Sequence, residues 1–151
     1  MLYTIGEMAK KFNIAPSTLR FYDKEGLLPF MERSSGGIRM FKEKDIGWLT
    51  IIDCLKHTGM PIKNIREFVN WCMEGDSTID KRLELIDTQK DEVKKQIEDL
   101  QEMLHVLEYK HWYYETAKRA GTCDVHNTMP VEDVPREFRD IVEKSSGIDE
   151  I

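Results

Sequence analysis

Long apolar runs are missing from this chain. No stretch approaches the roughly 18 consecutive apolar residues of a membrane helix. Met1 to Phe12 holds no apolar run ahead of Lys10 and Lys11, so nothing there reads as a signal peptide. Both absences predict a soluble cytoplasmic protein with no membrane partner. Cysteine is scarce: Cys54, Cys72 and Cys123 are odd in number and widely spaced, which excludes a disulfide framework and fits reduced thiols. Glycine and proline are absent from Ser77 to Ala120, so nothing there interrupts a helix. Repeats and low-complexity runs are absent too. Cys54 and His57 share one predicted helix, but no oxyanion-hole glycine motif or third orienting group accompanies them, and an enzyme is not expected.

What the chain does have is charge, unevenly placed. Charged residues make up 33% and apolar residues 40%, enough for a core. The net charge of −6 argues at first against nucleic acid. Through Arg66, however, 11 Lys and Arg stand against 7 Asp and Glu, a balance of +4; from Glu67 onward 11 stand against 21, a balance of −10. A basic N-terminal unit joined to an acidic remainder suits a DNA reader with an appended partner or sensor region.

Ile5, Met8, Ala9 and Phe12 recur at i, i+3, i+4, i+7, one face of a short helix. Asn13-Ile14-Ala15 is a tight connection. Pro16 suits the first position of a second helix and Gly26 the residue just past its end. Helix, three-residue turn, helix is the helix-turn-helix layout. Ala15 is a poor N-cap, so packing must fix the second helix, with Leu19 and Phe21 as the expected anchors. Ser17, Thr18, Arg20 and Tyr22 supply groups that can hydrogen-bond bases or phosphates. Arg33-Ser34-Ser35-Gly36-Gly37-Ile38-Arg39 has turn chemistry between two arginines. It reads either as an ordinary solvated hairpin or, beside a helix-turn-helix, as a wing that lays Arg33 and Arg39 on the DNA backbone.

Glu43 to His57 forms the next helix, with Trp48, Leu49, Ile51, Ile52 and Leu55 on a broad apolar arc. Cys54 lies off that arc, in a row of small side chains with Gly47, Thr50 and Thr58. Pro61 opens another helix and Gly75 ends it. From Ile79 to Lys118 two rows follow at heptad spacing. One is Ile79, Ile86, Val93, Leu100, Leu107 and Tyr114; the other is Leu83, Lys90, Ile97, Leu104, His111 and Lys118. A helix of about 40 residues is about 60 Å long and cannot bury its stripe within so short a chain. It is therefore expected to pair with a second copy; the pattern alone does not give the direction of pairing. A second apolar row, Met103, Val106, Tyr109 and Tyr113 with Trp112 alongside, is left for a partner's N-terminal unit or a pocket. Gly121 ends the helix. In the tail, Pro135 to Lys144 reads as one more short helix with Phe138, Ile141 and Val142 inward.

Tyr3-Thr4-Ile5-Gly6-Glu7-Met8-Ala9, Ser17-Thr18-Leu19-Arg20-Phe21-Tyr22, Gly26-Leu27-Leu28-Pro29, Gly37-Ile38-Arg39-Met40-Phe41, Asp45-Ile46 and Thr58-Gly59-Met60-Pro61-Ile62 occur in this order. Together they resemble the MerR family of transcription regulators. The resemblance implies a mainly α fold: a winged helix-turn-helix DNA-binding domain over 1–75, a dimerisation helix over 76–120 forming an antiparallel coiled coil, and a possible effector region over 121–151. It implies a homodimer on a palindromic promoter element in double-stranded DNA. Such a dimer activates by distorting the spacer that RNA polymerase reads. By position it assigns Thr18, Arg20 and Tyr22 to bases and backbone, Arg39 to the wing contact, and Tyr3 and Thr4 to the phosphates near helix 1. Ser17, Arg33 and Gly37 complete the candidate surface. Lys42 stands where a capping Ser or Thr is frequent and can contact phosphate instead; Met40 departs from the pattern of the wing.

The signal is the remaining question. The roughly 30 residues after Ala120 are too few to enclose a drug-sized pocket of several hundred Å³. Cys123 and His126 have a C-x-x-H spacing that can contribute to a metal site, but Ser77 stands where metal-sensing members place a cysteine. The context of Cys54 looks like the subgroup that responds to aldehydes and other electrophiles through a single thiol, with Lys56 and His57 nearby to favour the thiolate. The competing reading of Cys54 is a small packing residue. A small apolar ligand at Trp112 and Tyr113, or a metal at Cys123, is the alternative input. No cofactor is expected.

Overall fold

A computed structural model describes residues 1–145. The chain opens with a strand, β1 (Leu2–Thr4), that leads directly into α1 (Ile5–Lys11). Thr4 caps that helix with a complete capping box. Its hydroxyl accepts from the Glu7 N–H, while the Glu7 carboxylate accepts from the Thr4 N–H at 2.7 Å. The Thr4 backbone bond, then its hydroxyl, holds the Glu7 carboxyl below its ordinary value. That contribution is present above the ordinary glutamate range and is lost as pH falls through the lowered value. Thr4→Ala is expected to cost about 1 kcal/mol, read as a Tm lower by about 2–4 °C; an unchanged Tm would contradict the cap assignment.

After the turn at Asn13 comes α2 (Pro16–Lys24), which has Pro16 in its first turn and no side-chain cap at Ala15, as its sequence implies. Leu19 is the anchor expected. Phe21 is not: it is 46% exposed, and Tyr22 is the second buried residue at 2%. Positions 19 and 22 lie three apart and share a helix face, whereas 21 lies about 200° from 19.

β2 (Glu32–Arg33) and β3 (Arg39–Lys42) form the hairpin, and β1 pairs on the other edge of β3. The order is β1-β3-β2, all antiparallel, with Leu2 opposite Lys42 and Arg33 opposite Arg39. Gly37 sits at φ +74° in the turn; a Cβ there would meet open space, so backbone conformation rather than crowding asks for glycine.

α3 (Asp45–His57) and α4 (Ile62–Glu74) close the N-terminal core. That core joins Met8, Leu19, Tyr22, Phe41, Ile52 and Ile65, with Phe30 stacked on Trp48 at its edge. Asp45 is buried and its Oδ2 accepts from the Lys42 N–H at 2.7 Å, which ties the first residue of α3 to the end of β3; the helix itself has no side-chain cap.

α5 (Ile79–Ala120) runs unbroken for 42 residues, and Gly121 leaves it at φ +77°. Two compact units divide within it, at Val93. In the first unit the start of α5 is tied to the helix pair: Leu85 packs on the core, Arg82 donates to the Gly75 carbonyl and Gln89 donates to the Thr58 carbonyl. In the second, short 3-10 turns lead to α6 (Arg139–Ser145). The helix predicted over Pro135 to Lys144 is present as a turn plus α6, with Phe138 buried and Ile141 and Val142 half-buried. The tail beyond 145 lies outside the described residues.

Candidate nucleic-acid interface

The outward face of α2 is legible from exposure. Ser17, Arg20, Phe21 and Lys24 are exposed at i, i+3, i+4 and i+7, opposite Leu19 and Tyr22. Two hydrogen-bonding groups, an aromatic ring and a second cation therefore point the same way. Thr18 flanks them half-buried. Phe21 and Lys24 were missing from the sequence-derived set, although the same 100° arithmetic finds them once Tyr22 is turned inward. Tyr22 lies off this face. Its side chain belongs to the core, its hydroxyl is buried without a hydrogen-bond partner, and Lys56 Nζ lies 5.3 Å from its ring centroid.

α2 is braced at its C-terminal end. Arg66 of α4 donates to the Glu25 carbonyl at 3.1 Å, a cation where the helix dipole favours one. Gly26 has φ +73°, and a Cβ there would meet the Arg66 side chain at 3.3 Å.

Beside α2 stands the hairpin. Its tip is held by Ser34 N–H to Ile38 O and Gly37 N–H to Ser34 O, both at 2.8 Å. Arg33 and Arg39 are present at its two sides, but both guanidiniums turn to the Asp23 carboxylate of α2. Lys42 pairs with Glu32 across the hairpin. The Tyr3 hydroxyl donates to Glu43 at 2.6 Å, and this bond above all raises the Tyr3 pKa. Thr4 spends its hydroxyl on the cap, so its free capacity toward phosphate is small. The wing donors are thus each matched to an acid before any phosphate arrives.

Cys54 is exposed on α3, on a face with Gly47, Thr50 and Ile51. A role in core packing is thereby removed. Lys56 is drawn to Tyr22, and His57 Nδ1 faces the Asp53 carbonyl oxygen at 2.7 Å. Cys72 is half-buried.

In the second unit the extra aromatic row is covered by the chain's own tail. Tyr109 and Trp112 pack on Phe138, and Tyr113 stacks on His126 with ring centroids 3.7 Å apart. Burial raises the Tyr113 pKa. Beside Trp112 an open groove of about 540 Å³ is lined by Leu104, Leu107, Glu108, His111, Glu115 and Phe138 among others. The tail residues alone could not enclose it, but α5 supplies one wall and the groove stays open. His126 Nε2 is occupied by the Tyr113 carbonyl, and among the described residues no group of three or more His, Cys, Asp or Glu is placed to hold a metal ion. No helix of the described residues is long and apolar enough to cross a membrane.

A helix-turn-helix whose second helix shows a polar and cationic face, flanked by a basic hairpin and followed by a long helix, defines a winged helix-turn-helix DNA-binding regulator. Comparison with known proteins makes this specific. Residues 3–70 match the pattern described as MerR HTH family regulatory protein, and 46–109 that described as MerR, DNA binding. An uncharacterized HTH-type transcriptional regulator of Haemophilus influenzae is 46% identical over 127 residues, covering 84% of this chain and 94% of its own length. The crystal structure of HiNmlR, a MerR family regulator lacking the sensor domain, bound to promoter DNA, superposes with a TM-score of 0.71 at 46% identity, over 83% of this chain and 99% of that one. The HTH-type transcriptional regulator AdhR of Bacillus subtilis is 35% identical over 82 residues, 54% of this chain and 59% of its own. This chain belongs to the MerR family of DNA-binding transcriptional regulators. Proteins of this family are not enzymes, which closes the Cys54–His57 nucleophile reading.

Proposed function

We propose that the chain works in the cytoplasm, on the nucleoid, as a homodimer on an inverted-repeat promoter element. Residues 1–75 read DNA, 76–120 dimerise and 121–151 form the tail. Ser17, Thr18 and Arg20 read bases and backbone; Tyr3, Thr4, Arg33, Gly37, Arg39 and Lys42 follow the phosphates. Phe21 and Lys24 join this set, and Tyr22 leaves it. The related complex of HiNmlR with promoter DNA supports the reading. Bound across the spacer, the dimer distorts the duplex so that RNA polymerase meets both promoter boxes.

Pairing is supported by α5, which leaves Leu83, Ile97, Leu100, Leu104, Leu107 and Tyr114 between 48% and 65% exposed. Charge favours the antiparallel direction that the family resemblance implies. Parallel, in-register pairing sets Lys90, His111 and Lys118 each against its own copy. Antiparallel pairing sets them against Leu107, Ile86 and Ile79 and keeps the cations apart.

The signal we propose is a thiol-reactive electrophile such as an aldehyde, sensed at Cys54. The observation that carries it is exposure: a free thiol stands on α3 beside Gly47 and Thr50, where an adduct has room to form. The sulfur bonds to the carbonyl carbon and its proton passes to the oxygen. Cys54→Ser is expected to keep operator affinity within about 2-fold and to lose the transcriptional response to formaldehyde. A normal response from that variant means the sensor lies elsewhere.

A further inference from the structure

Asp23 is out of place on a helix that meets DNA, because a carboxylate there repels phosphate. Its Oδ2 accepts from Arg33 Nη2 and from Arg39 Nε, each at 2.7 Å. Arg33 and Arg39 are direct cross-strand partners in the hairpin, where like charges destabilise pairing. Arg33 also reaches back with Nη1 to the Gly37 carbonyl at the hairpin tip, at 3.4 Å. One carboxylate therefore ties the tip, both strands of the wing and the recognition helix together. Its side chain is only 18% exposed, so it is shielded by the two guanidiniums it holds.

We infer that Asp23 is a positioning residue for sequence recognition: it clamps both wing arginines to α2, so that helix and wing meet the duplex as one rigid body. This rests on the DNA-reading proposal above. The clamp does not add attraction to DNA; it removes charge. Its gain is pre-organisation, because a wing already set at the right angle loses less freedom on binding. Without it both arginines still find phosphates, but at no fixed angle to Arg20. Selectivity falls while non-specific attraction does not.

The test uses the full-length protein, a duplex enriched by the wild type from a random-sequence pool, and a scrambled duplex of the same composition. In Asp23→Asn, the enriched duplex is expected to bind at least about 10-fold more weakly, while the scrambled one binds as tightly as before or up to about 3-fold more tightly. The salt dependence on scrambled DNA steepens, since released arginines neutralise further phosphates. Asp23→Glu, which keeps the charge one methylene further out, restores most of the lost selectivity. Unchanged helix content with a Tm lowered by no more than about 4 °C separates this from a folding defect. If the ratio of enriched to scrambled affinity in Asp23→Asn stays within about 2-fold of wild type, the clamp role is overturned. A wild type that enriches no sequence would instead overturn the DNA-reading proposal itself.

Discussion

Leu100→Asp is expected to turn the proposed dimer into a monomer and to weaken operator binding by about 10²–10⁴-fold, the advantage that linking two readers confers. Leu100 is 64% exposed and Ile97 48% exposed in the single chain. In the proposed antiparallel pairing Leu100 faces the partner's Ile97 near the middle of the seam, so one substitution places a carboxylate in each of two adjacent apolar layers. The isolated chain loses little, because the side chain is largely exposed there and a helix tolerates aspartate at modest cost. Sedimentation should show half the wild-type mass with helix content nearly unchanged, and a gel shift should show the lost affinity. A variant that remains dimeric places the dimer contact on another face.

Arg20→Ala has the next largest effect. Arg20 stands at the centre of the exposed strip of α2, and a bidentate arginine contact to guanine is worth about 1–3 kcal/mol of discrimination. With two copies acting in the proposed dimer, the operator affinity is expected to fall by about 30-fold to 10⁴-fold, with relaxed preference at one symmetric pair of positions. Lys42→Ala makes the contrast: lost phosphate contact weakens every duplex alike and lowers the salt slope by about 1 per chain. Competition assays with single-base operator variants distinguish the two. Equal loss on operator and scrambled DNA for Arg20→Ala would move Arg20 to the phosphates.

Some of this was open to reading residue by residue, and the reason differs from place to place. α2 is bounded by Pro16 and Gly26, and α5 carries a heptad pattern with no breaker, so both are written in local sequence. β1 is not: three residues are too short for a pattern, and their partners on β3 lie far along the chain. Phe21 and Tyr22 differ by only 100° of helix rotation, and it is the spacing of three from Leu19 that turns Tyr22 inward. The aromatic row at Tyr109 and Trp112 leaves a partner's N-terminal unit or a pocket open from sequence; the chain returns after Gly121 and lays Phe138 on the row, with an open groove beside Trp112. The role of Asp23 was hidden for a similar reason. Nothing in its neighbours foretells that two arginines of the wing will reach it.

The central claim is that two copies of one basic strip, held apart by α5, choose a DNA sequence together. Selection from a random-sequence duplex pool at near-physiological salt, followed by the mass of the selected complex, tests it most directly. The account predicts an enriched inverted repeat bound by two chains, whose recovery is lost in Leu100→Asp. Enrichment of a single half-site bound by one chain, or of no sequence at all, would contradict it.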